Sequence, residues 1–335
     1  MIYYTCIRMS EKRFALLRGK DGRRNDMERM SQLKQQLSQV LPAFMLRSEE
    51  PLARHTSFRI GGPAELMVFP RNREELQKIL ELSHLLDIKP RILGAGTNVL
   101  APDEGVRGLV VATRETFMGL RLLDETHISA MAGMSLAQTA MFAARNNLSG
   151  LEFAHGIPGT VGGGIYMNAG AYGGELKDVA VRTEFMALDG KSRWLEGETQ
   201  GFSYRNSAFQ SMEGVIVRTE FALIPGCESE IREKIHDLAQ KRRASQPLEL
   251  PSAGSTFKRP KTGYAAALIE EAGLKGLSVG GAAVSEKHAG FVVNKGGATA
   301  ADVLALVELV RQRVYDHSGV LLEPEVRLWS AEDAD

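Results

Sequence analysis

Cysteine is nearly missing from this 335-residue chain: only Cys6 and Cys227 occur, and neither sits in a C-x-x-C pair. A disulfide framework, a thiolate zinc site and thioredoxin-type chemistry are therefore unsupported. The seven histidines are scattered without an H-E-x-x-H, so no metal site is expected. Net charge is also lacking, since 41 Lys+Arg balance 41 Asp+Glu. With no global positive field, neither nucleic acid nor a membrane surface is an expected partner, although local patches can still hold phosphates. No apolar run approaches the roughly 18–20 residues that span a bilayer. The N-terminus has Arg and Lys but no apolar h-region and no small-residue cleavage site. These absences predict a reducing, cytoplasmic setting.

What is present looks globular: 44% hydrophobic and 24% charged residues, with length enough for two or three packed units. Residues 1–45 stand apart, with nine Lys/Arg against four Asp/Glu, a net of +5. They read as a mobile extension, with Met27 or Met30 as an alternative first residue; a basic arm touching nucleic acid or a partner is the competing reading. Met30 to Leu41 has the spacing of a short amphipathic helix that packs on the body.

From about residue 46 the pattern is α/β. Glu65–Phe69 reads as a strand. Asn72 then reads as an N-cap, with Glu75 completing a capping box and Leu76, Ile79, Leu80 and Leu85 following at helical spacing. Short strands are expected at Arg91–Leu93, Gly108–Ala112 and His127–Met131, and a helix from Ser135 to Arg145. Val179–Leu188 and Ser192–Leu195 flank Asp189-Gly190, a hairpin signal. Val215–Leu223 is another strand. A charged helix from Glu228 to about Arg243 ends at Pro247 and Pro251, and a domain boundary falls in this neighbourhood. Helices near Tyr264–Ala272 and Ala300–Tyr315 and strands near Phe291–Asn294 and Leu321–Leu328 complete the chain.

Two glycine loops carry the ligand argument. Gly94-Ala95-Gly96-Thr97-Asn98 opens like G-x-G-x-x-G, but Val99 takes the sixth position and Ala101-Pro102-Asp103 follows where a helix must start. The dinucleotide fingerprint of a Rossmann fold fails on that context. Ile157-Pro158-Gly159-Thr160-Val161-Gly162-Gly163-Gly164 has the glycines of a P-loop without its Lys-Ser/Thr. Both loops still offer backbone N–H groups unshielded by side chains, which suits one extended dinucleotide gripped from two sides; tight turns alone are the alternative. Gly133-Met134-Ser135-Leu136-Ala137 is close to a nucleophile elbow, yet Ser135 with Gln138 reads as a helix cap, which argues against a hydrolase.

A series of motifs then appears in a definite order: His55-Thr56-Ser57-Phe58-Arg59-Ile60-Gly61-Gly62, the two glycine loops, Asn168-Ala169-Gly170-Ala171-Tyr172-Gly173 and Tyr204-Arg205-Asn206-Ser207. Gln246-Pro247, Ser252-Ala253-Gly254-Ser255-Thr256-Phe257-Lys258-Arg259-Pro260, Val284-Ser285-Glu286-Lys287-His288-Ala289 and Glu323-Pro324-Glu325-Val326-Arg327 follow. Over about residues 46–328 the chain resembles the UDP-N-acetylenolpyruvoylglucosamine reductases of peptidoglycan synthesis. The short passage from Pro225 to Ser255 resembles the family's type II, and Thr97 stands where many members have Ser.

That resemblance implies a mixed α/β (α+β) fold: an FAD-binding region of the vanillyl-alcohol-oxidase type at 46–225, in subdomains of about 46–114 and 115–225, then a smaller substrate domain at 226–328 and a tail at 329–335. It implies a monomer with non-covalent FAD held by Gly94, Ala95, Gly96, Thr97, Asn98, Gly159, Thr160, Val161 and Gly162. NADPH would reduce the flavin, and its N5 would pass hydride to the β-carbon of an enolpyruvyl ether on a UDP-sugar. Charge then spreads into the adjoining carboxylate, and preorganised donors must stabilise it. Arg205 matches the family's carboxylate ligand, with a guanidinium suited to paired carboxylate oxygens. Ser255 matches the proton donor to the α-carbon. Glu325 would act there as a neutral acid or orient a donor, with its pKa raised by burial. Lys258, Arg259 and Lys287 are candidate diphosphate contacts. Another flavin oxidoreductase of this fold, acting on an alcohol or lactone, and a non-enzymatic flavin or nucleotide-sugar binder are the rival readings.

Overall fold

The computed structural model describes residues 20–332; the reading made for residues 1–19 lies outside them. Helix α1 (Lys20–Val40) opens the described chain. Met30, Leu33 and Leu37 recur along one face, and with Leu41 and Met45 they are all at most 8% exposed. They join the largest hydrophobic core beside Leu76, Ile79 and Leu80. The expected helix over Met30–Leu41 is there and starts earlier. Residues 30–45 thus belong to the body, which corrects their assignment to a mobile extension.

The first unit comprises β1 (Leu46–Pro51), β2 (Pro63–Val68), α2 (Arg73–Leu85), β3 (Arg91–Leu93), β4 (Val99–Leu100) and β5 (Val106–Ala112). Its four-stranded sheet has the order β1-β2-β5-β3, parallel except for β1. Both faces of β5 are covered: Leu109 and Val111 point into the large core, Val106, Val110 and Ala112 into a second one with Met67 and Phe69. Such two-sided burial is why residues 109–112 read as an unbroken apolar run. At α2, Asn72 Oδ1 accepts the Glu75 N–H at 2.9 Å, as expected of a cap. The reciprocal half of the box differs. Glu75 accepts the Arg71 N–H at 2.7 Å, not that of Asn72, because the Arg71 guanidinium is paired with the same carboxylate.

The second unit holds β6 (Leu120–Leu122), β7 (His127–Met131), α3 (Leu136–Arg145), β8 (Leu148–Ser149), α4 (Val161–Tyr166), β9 (Gly170–Ala171), β10 (Gly174–Glu175), β11 (Ala180–Ala187), β12 (Ser192–Glu196), β13 (Gly214–Ala222), β14 (Ile224–Pro225) and α5 (Glu228–Ser245). Its antiparallel sheet runs β12-β11-β13-β7-β6. The β11–β12 hairpin closes where Asp189-Gly190 predicts it. Glu184 of β11 is buried and bonded to Arg73 (2.9 Å) and Arg218 (2.7 Å), tying α2 to this sheet. Helix α5 packs on α3 and the 152–154 turn, with Ile231 and Ile235 buried against Ala144. By packing, the change of unit falls after α5, near Gln246, rather than before it at residue 226.

The last unit contains β15 (Ser252–Ser255), α6 (Ala265–Glu271), β16 (Ser278–Val279), β17 (Ala282–Val284), β18 (Phe291–Asn294), α7 (Ala300–Ser318) and β19 (Arg327–Leu328). Four strands, β15-β18-β17-β16, form an antiparallel sheet. Ile269, Leu306, Val310 and Val314 from the helices are fully buried with Ala282 and Val292 in its core. Thr299 and Asp302 make a reciprocal capping box on α7. Asp103 of the first unit adds a second cap, accepting the Ala300 and Ala301 N–H groups at 2.7 and 3.1 Å. Asn294 to the Phe58 carbonyl (3.0 Å) and Ser57 to the Ser252 carbonyl (2.6 Å) join the same two units.

The strand expected over Leu321–Leu328 is confined to Arg327–Leu328, and β19 pairs in parallel with β4 of the first unit. Pro324, with no N–H to donate, makes only an isolated bridge to Phe257. Residues 329–331 are no free tail. The Trp329 N–H donates to the Leu100 carbonyl at 3.0 Å, and the Ala331 carbonyl accepts the Arg107 N–H at 3.0 Å.

Candidate functional site

A cavity of about 1250 Å³ opens where the three units meet. That exceeds the roughly 300–1,000 Å³ usual for one small ligand, so there is room for more than one. One wall is the loop from β3 to β4. Gly96 has φ +60°, and a Cβ there would lie 2.1 Å from the His55 carbonyl oxygen, so only glycine fits. At Gly94 an added Cβ would meet Thr160 Oγ1 at 2.5 Å, which measures how closely the two glycine loops approach. The Thr97 hydroxyl closes that contact by donating to the Pro158 carbonyl at 2.9 Å. No helix follows this loop, in line with the rejected Rossmann reading.

The N–H groups of Ala95, Gly96, Thr97, Asn98, Gly159 and Thr160 donate to no described residue. Unpaired backbone donors converging from two loops suit an anionic dinucleotide, and small side chains allow its approach. Val161 and Gly162 differ. Their N–H groups are spent on the Met134 (2.8 Å) and Ala132 (2.9 Å) carbonyls. Gly162 still borders the cavity, where a Cβ would meet Ala132 Cβ at 2.9 Å, but Val161 is fully buried and absent from the wall. Ser135 caps α3, accepting the Gln138 N–H at 3.1 Å.

Arg205, Ser255 and Glu325 come from three distant stretches and line this one cavity. Arg205 has a left-handed backbone, φ +54°, at the tip of a turn closed by Ser203 and Asn206. Non-glycine residues hold such a conformation when their surroundings impose it. Here Gln210 Nε2 donates to the Arg205 carbonyl at 3.1 Å, and buried Asn168 donates to the Ser203 carbonyl at 2.9 Å. Glu325 is carried in by the β19–β4 pairing, with Asn98 Nδ2 donating to its carbonyl at 3.2 Å. Arg205 Nε donates to Glu325 Oε1 at 2.7 Å, the side chains being 24% and 13% exposed. Burial nonetheless pushes the Glu325 carboxyl above its ordinary value, with Arg205 and then Lys258 pulling the other way. Ser255, at the end of β15, presents a hydroxyl that bonds to no described residue.

The three basic candidates separate. Lys258 borders the cavity and pairs with Glu323. Arg259 lies outside the lining: its guanidinium stacks 4.2 Å from the Tyr264 ring and donates to the Gly263 carbonyl. Lys287 also lies outside, donating to the Arg243 carbonyl at 2.6 Å. Their partners are set by tertiary packing, which charge density along the sequence does not reveal. Two residues without an assigned role do reach the cavity. The Arg242 guanidinium of α5 lines it with no ion pair or hydrogen bond to a described residue, and burial lowers its pKa. Gln246 contributes Oε1, the one buried side-chain polar atom without a partner among the described residues. The Gln246-Pro247 motif marked the latter; nothing in a charged helix marks the former.

Comparison with known proteins adds independent findings. A family model described as FAD binding domain matches residues 64–196, and one described as UDP-N-acetylenolpyruvoylglucosamine reductase, C-terminal domain, matches residues 246–329. Among curated proteins, a UDP-N-acetylenolpyruvoylglucosamine reductase of Syntrophomonas wolfei is 44% identical over 86% of this chain and 96% of its own length. A namesake from Caldanaerobacter subterraneus is 46% identical over 87% and 96%. Among solved structures, a UDP-N-acetylenolpyruvylglucosamine reductase from Thermus caldophilus superposes with a TM-score of 0.74 at 35% identity, covering 85% of this chain and all of that one.

Proposed function

The chain belongs to the UDP-N-acetylenolpyruvoylglucosamine reductase family, and from that premise we propose which of its residues carry the reaction. It is an FAD oxidoreductase with the vanillyl-alcohol-oxidase type of flavin-binding fold. With NADPH it reduces the enolpyruvyl ether of UDP-N-acetylglucosamine enolpyruvate to UDP-N-acetylmuramate, a step of peptidoglycan precursor synthesis.

The cavity's donor set fits FAD. We assign its grip to the free N–H groups of residues 95–98, 159 and 160, to close approach at Gly94 and Gly162, and to Val161 only as the buried residue that anchors α4. When bound, FAD supplies hydride transfer between NADPH and the substrate's β-carbon. Negative charge then builds on the α-carbon and its carboxylate. Arg205, fixed by Gln210 and the Asn168-supported turn, holds that carboxylate in place before charge develops, so no reorganisation is needed as it does. Ser255 delivers the proton to the α-carbon from a hydroxyl not engaged elsewhere. Glu325 sits against Arg205 as the group that orients it and donates when neutral. Lys258 and Arg242 are the cations we place toward diphosphate, while Arg259 and Lys287 lie outside the cavity lining.

The chain's own segments complete the site, which supports a monomer; residues 46–225 with α5 form the flavin-binding part and the remainder to 328 the substrate part. No helix among the described residues is long and apolar enough to cross a membrane. We take the enzyme to work in the cytoplasm, where NADPH and nucleotide sugars meet. The observation that carries the reading is the convergence of Arg205, Ser255 and Glu325 on one cavity beside two glycine loops. The test is product identity: the purified protein given NADPH and UDP-N-acetylglucosamine enolpyruvate should yield the lactyl ether by mass spectrometry. NADPH consumption without that product would reassign it to another flavin oxidoreductase reaction.

A further inference from the structure

Arg205 is already engaged. Its Nε holds Glu325, and both side chains are largely shielded from water. A substrate carboxylate arriving at this guanidinium makes two carboxylates share one cation. The surroundings offer little compensation. Lys258, the other cation acting on Glu325, is committed to Glu323. Lys177 pairs with Glu175, itself a carboxylate facing Arg205. Arg327 points elsewhere, donating to Gln210 Oε1 with its guanidinium 5.5 Å from the Tyr166 ring. Arg242 lies against Gly156 on another wall, and Tyr204, 5.2 Å beneath the Arg205 guanidinium, brings no charge. Two like charges cannot share a poorly hydrated site without one being neutralised.

We infer that binding of the substrate carboxylate at Arg205 is coupled to uptake of one proton from solvent by Glu325, so that Arg205 exchanges one carboxylate partner for another and Glu325 enters the reaction as a neutral acid. The inference rests on the reading of Arg205 as the carboxylate site. The proton lands on a Glu325 carboxylate oxygen and comes from buffer, so no other group changes its protonation. Burial already lifts this carboxyl, and a second carboxylate on Arg205 weakens the strongest opposing pull. The ion pair of the ligand-free protein is thereby a charge-matched cover for Arg205, and the substrate dissolves it by bringing the same charge. A neutral Glu325 beside the developing carboxylate charge adds a donor where an ionised one would repel.

The experiment is calorimetric titration of the oxidised, FAD-loaded holoenzyme without NADPH, so that no turnover occurs. UDP-N-acetylglucosamine enolpyruvate is titrated near pH 7 in buffers of different ionisation enthalpy, and the slope of heat against that enthalpy counts protons. Uptake close to one proton per bound ligand is expected, falling to near zero in Glu325→Gln. UDP-N-acetylglucosamine, which has the diphosphate but no carboxylate, should bind the wild-type holoenzyme with no uptake. This control keeps the test decisive should the Gln variant fail to fold. Substrate binding without proton uptake, or equal uptake with both sugars, overturns the inference and leaves the enzymatic assignment standing. No binding of the enolpyruvyl substrate at all overturns the assignment itself, and the inference with it.

Discussion

Gly96→Ala is the substitution for which the structure sets the magnitude most directly. The new Cβ would stand 2.1 Å from the His55 carbonyl oxygen and 2.8 Å from Thr56 Cα, both backbone atoms that cannot swing aside. Alanine at φ +60° also carries left-handed strain of about 1–2 kcal/mol. The loop must move, and the Gly96 carbonyl then loses the Ser57 N–H (3.1 Å), a bond contributing about 0.5–1.5 kcal/mol. Together the loss is about 1.5–3.5 kcal/mol. The moved loop also carries the free donors assigned to FAD, and losing one charge-assisted bond weakens affinity roughly 10- to 100-fold. Gly108→Ala is the control: φ is +81° but nothing lies within 4 Å of the new Cβ, and Gly108 is not in the cavity wall. It should cost only the strain, about 1–2 kcal/mol, with FAD affinity unchanged. Denaturant unfolding of both apoproteins and quenching of FAD fluorescence measure the two effects. Equal stability and equal FAD affinity for the two variants would refute the argument.

Ser255→Ala should keep reduction of the flavin by NADPH while turnover falls by about 10²–10⁴, the usual worth of a positioned proton donor; stopped-flow of each half-reaction separates the two. Leu33→Ala should destabilise the protein by about 2–5 kcal/mol in urea, because this fully buried side chain of α1 belongs to the main core; a change below about 0.5 kcal/mol would return the helix to the status of an appendage. His288 is held below the ordinary histidine value of 6.5 by burial. A depressed folded pKa contributes stability above the unfolded value, lost as pH falls through the folded one. Thermal unfolding of wild type should therefore fall off more steeply than that of His288→Asn between about pH 7 and 5; parallel curves would contradict this.

Local chemistry was legible from the chain. Asn72 and Ser135 each accept a backbone N–H at the start of an expected helix, and Asp189-Gly190 turns the expected hairpin. The glycine loops were recognisable as candidate ligand walls because the first lacks the helix that a Rossmann motif opens and the second lacks the Lys-Ser/Thr of a P-loop, while both keep unshielded backbone N–H groups. What escaped depended on distant partners. The charged sequence of α5 concealed Arg242, whose side chain is turned to the cavity by packing of Ile231 and Ile235 on the second unit. Arg259 and Lys287 looked like Lys258 in sequence, and only a neighbouring ring or carbonyl tells them apart. The return of residues 327–331 to the first unit rests on a two-residue parallel pairing too short to leave a periodicity. Polar Asn25 and Asp26 masked α1, whose apolar face begins only at Met30.

The account turns on hydride passing through one flavin to one activated double bond. The measurement is anaerobic: NADPH is added to the holoenzyme until the flavin band bleaches, and UDP-N-acetylglucosamine enolpyruvate is then mixed in. Rapid return of the oxidised flavin spectrum with formation of the lactyl ether is the predicted result. Bleaching by NADPH followed by a flavin that this substrate leaves reduced would contradict the account.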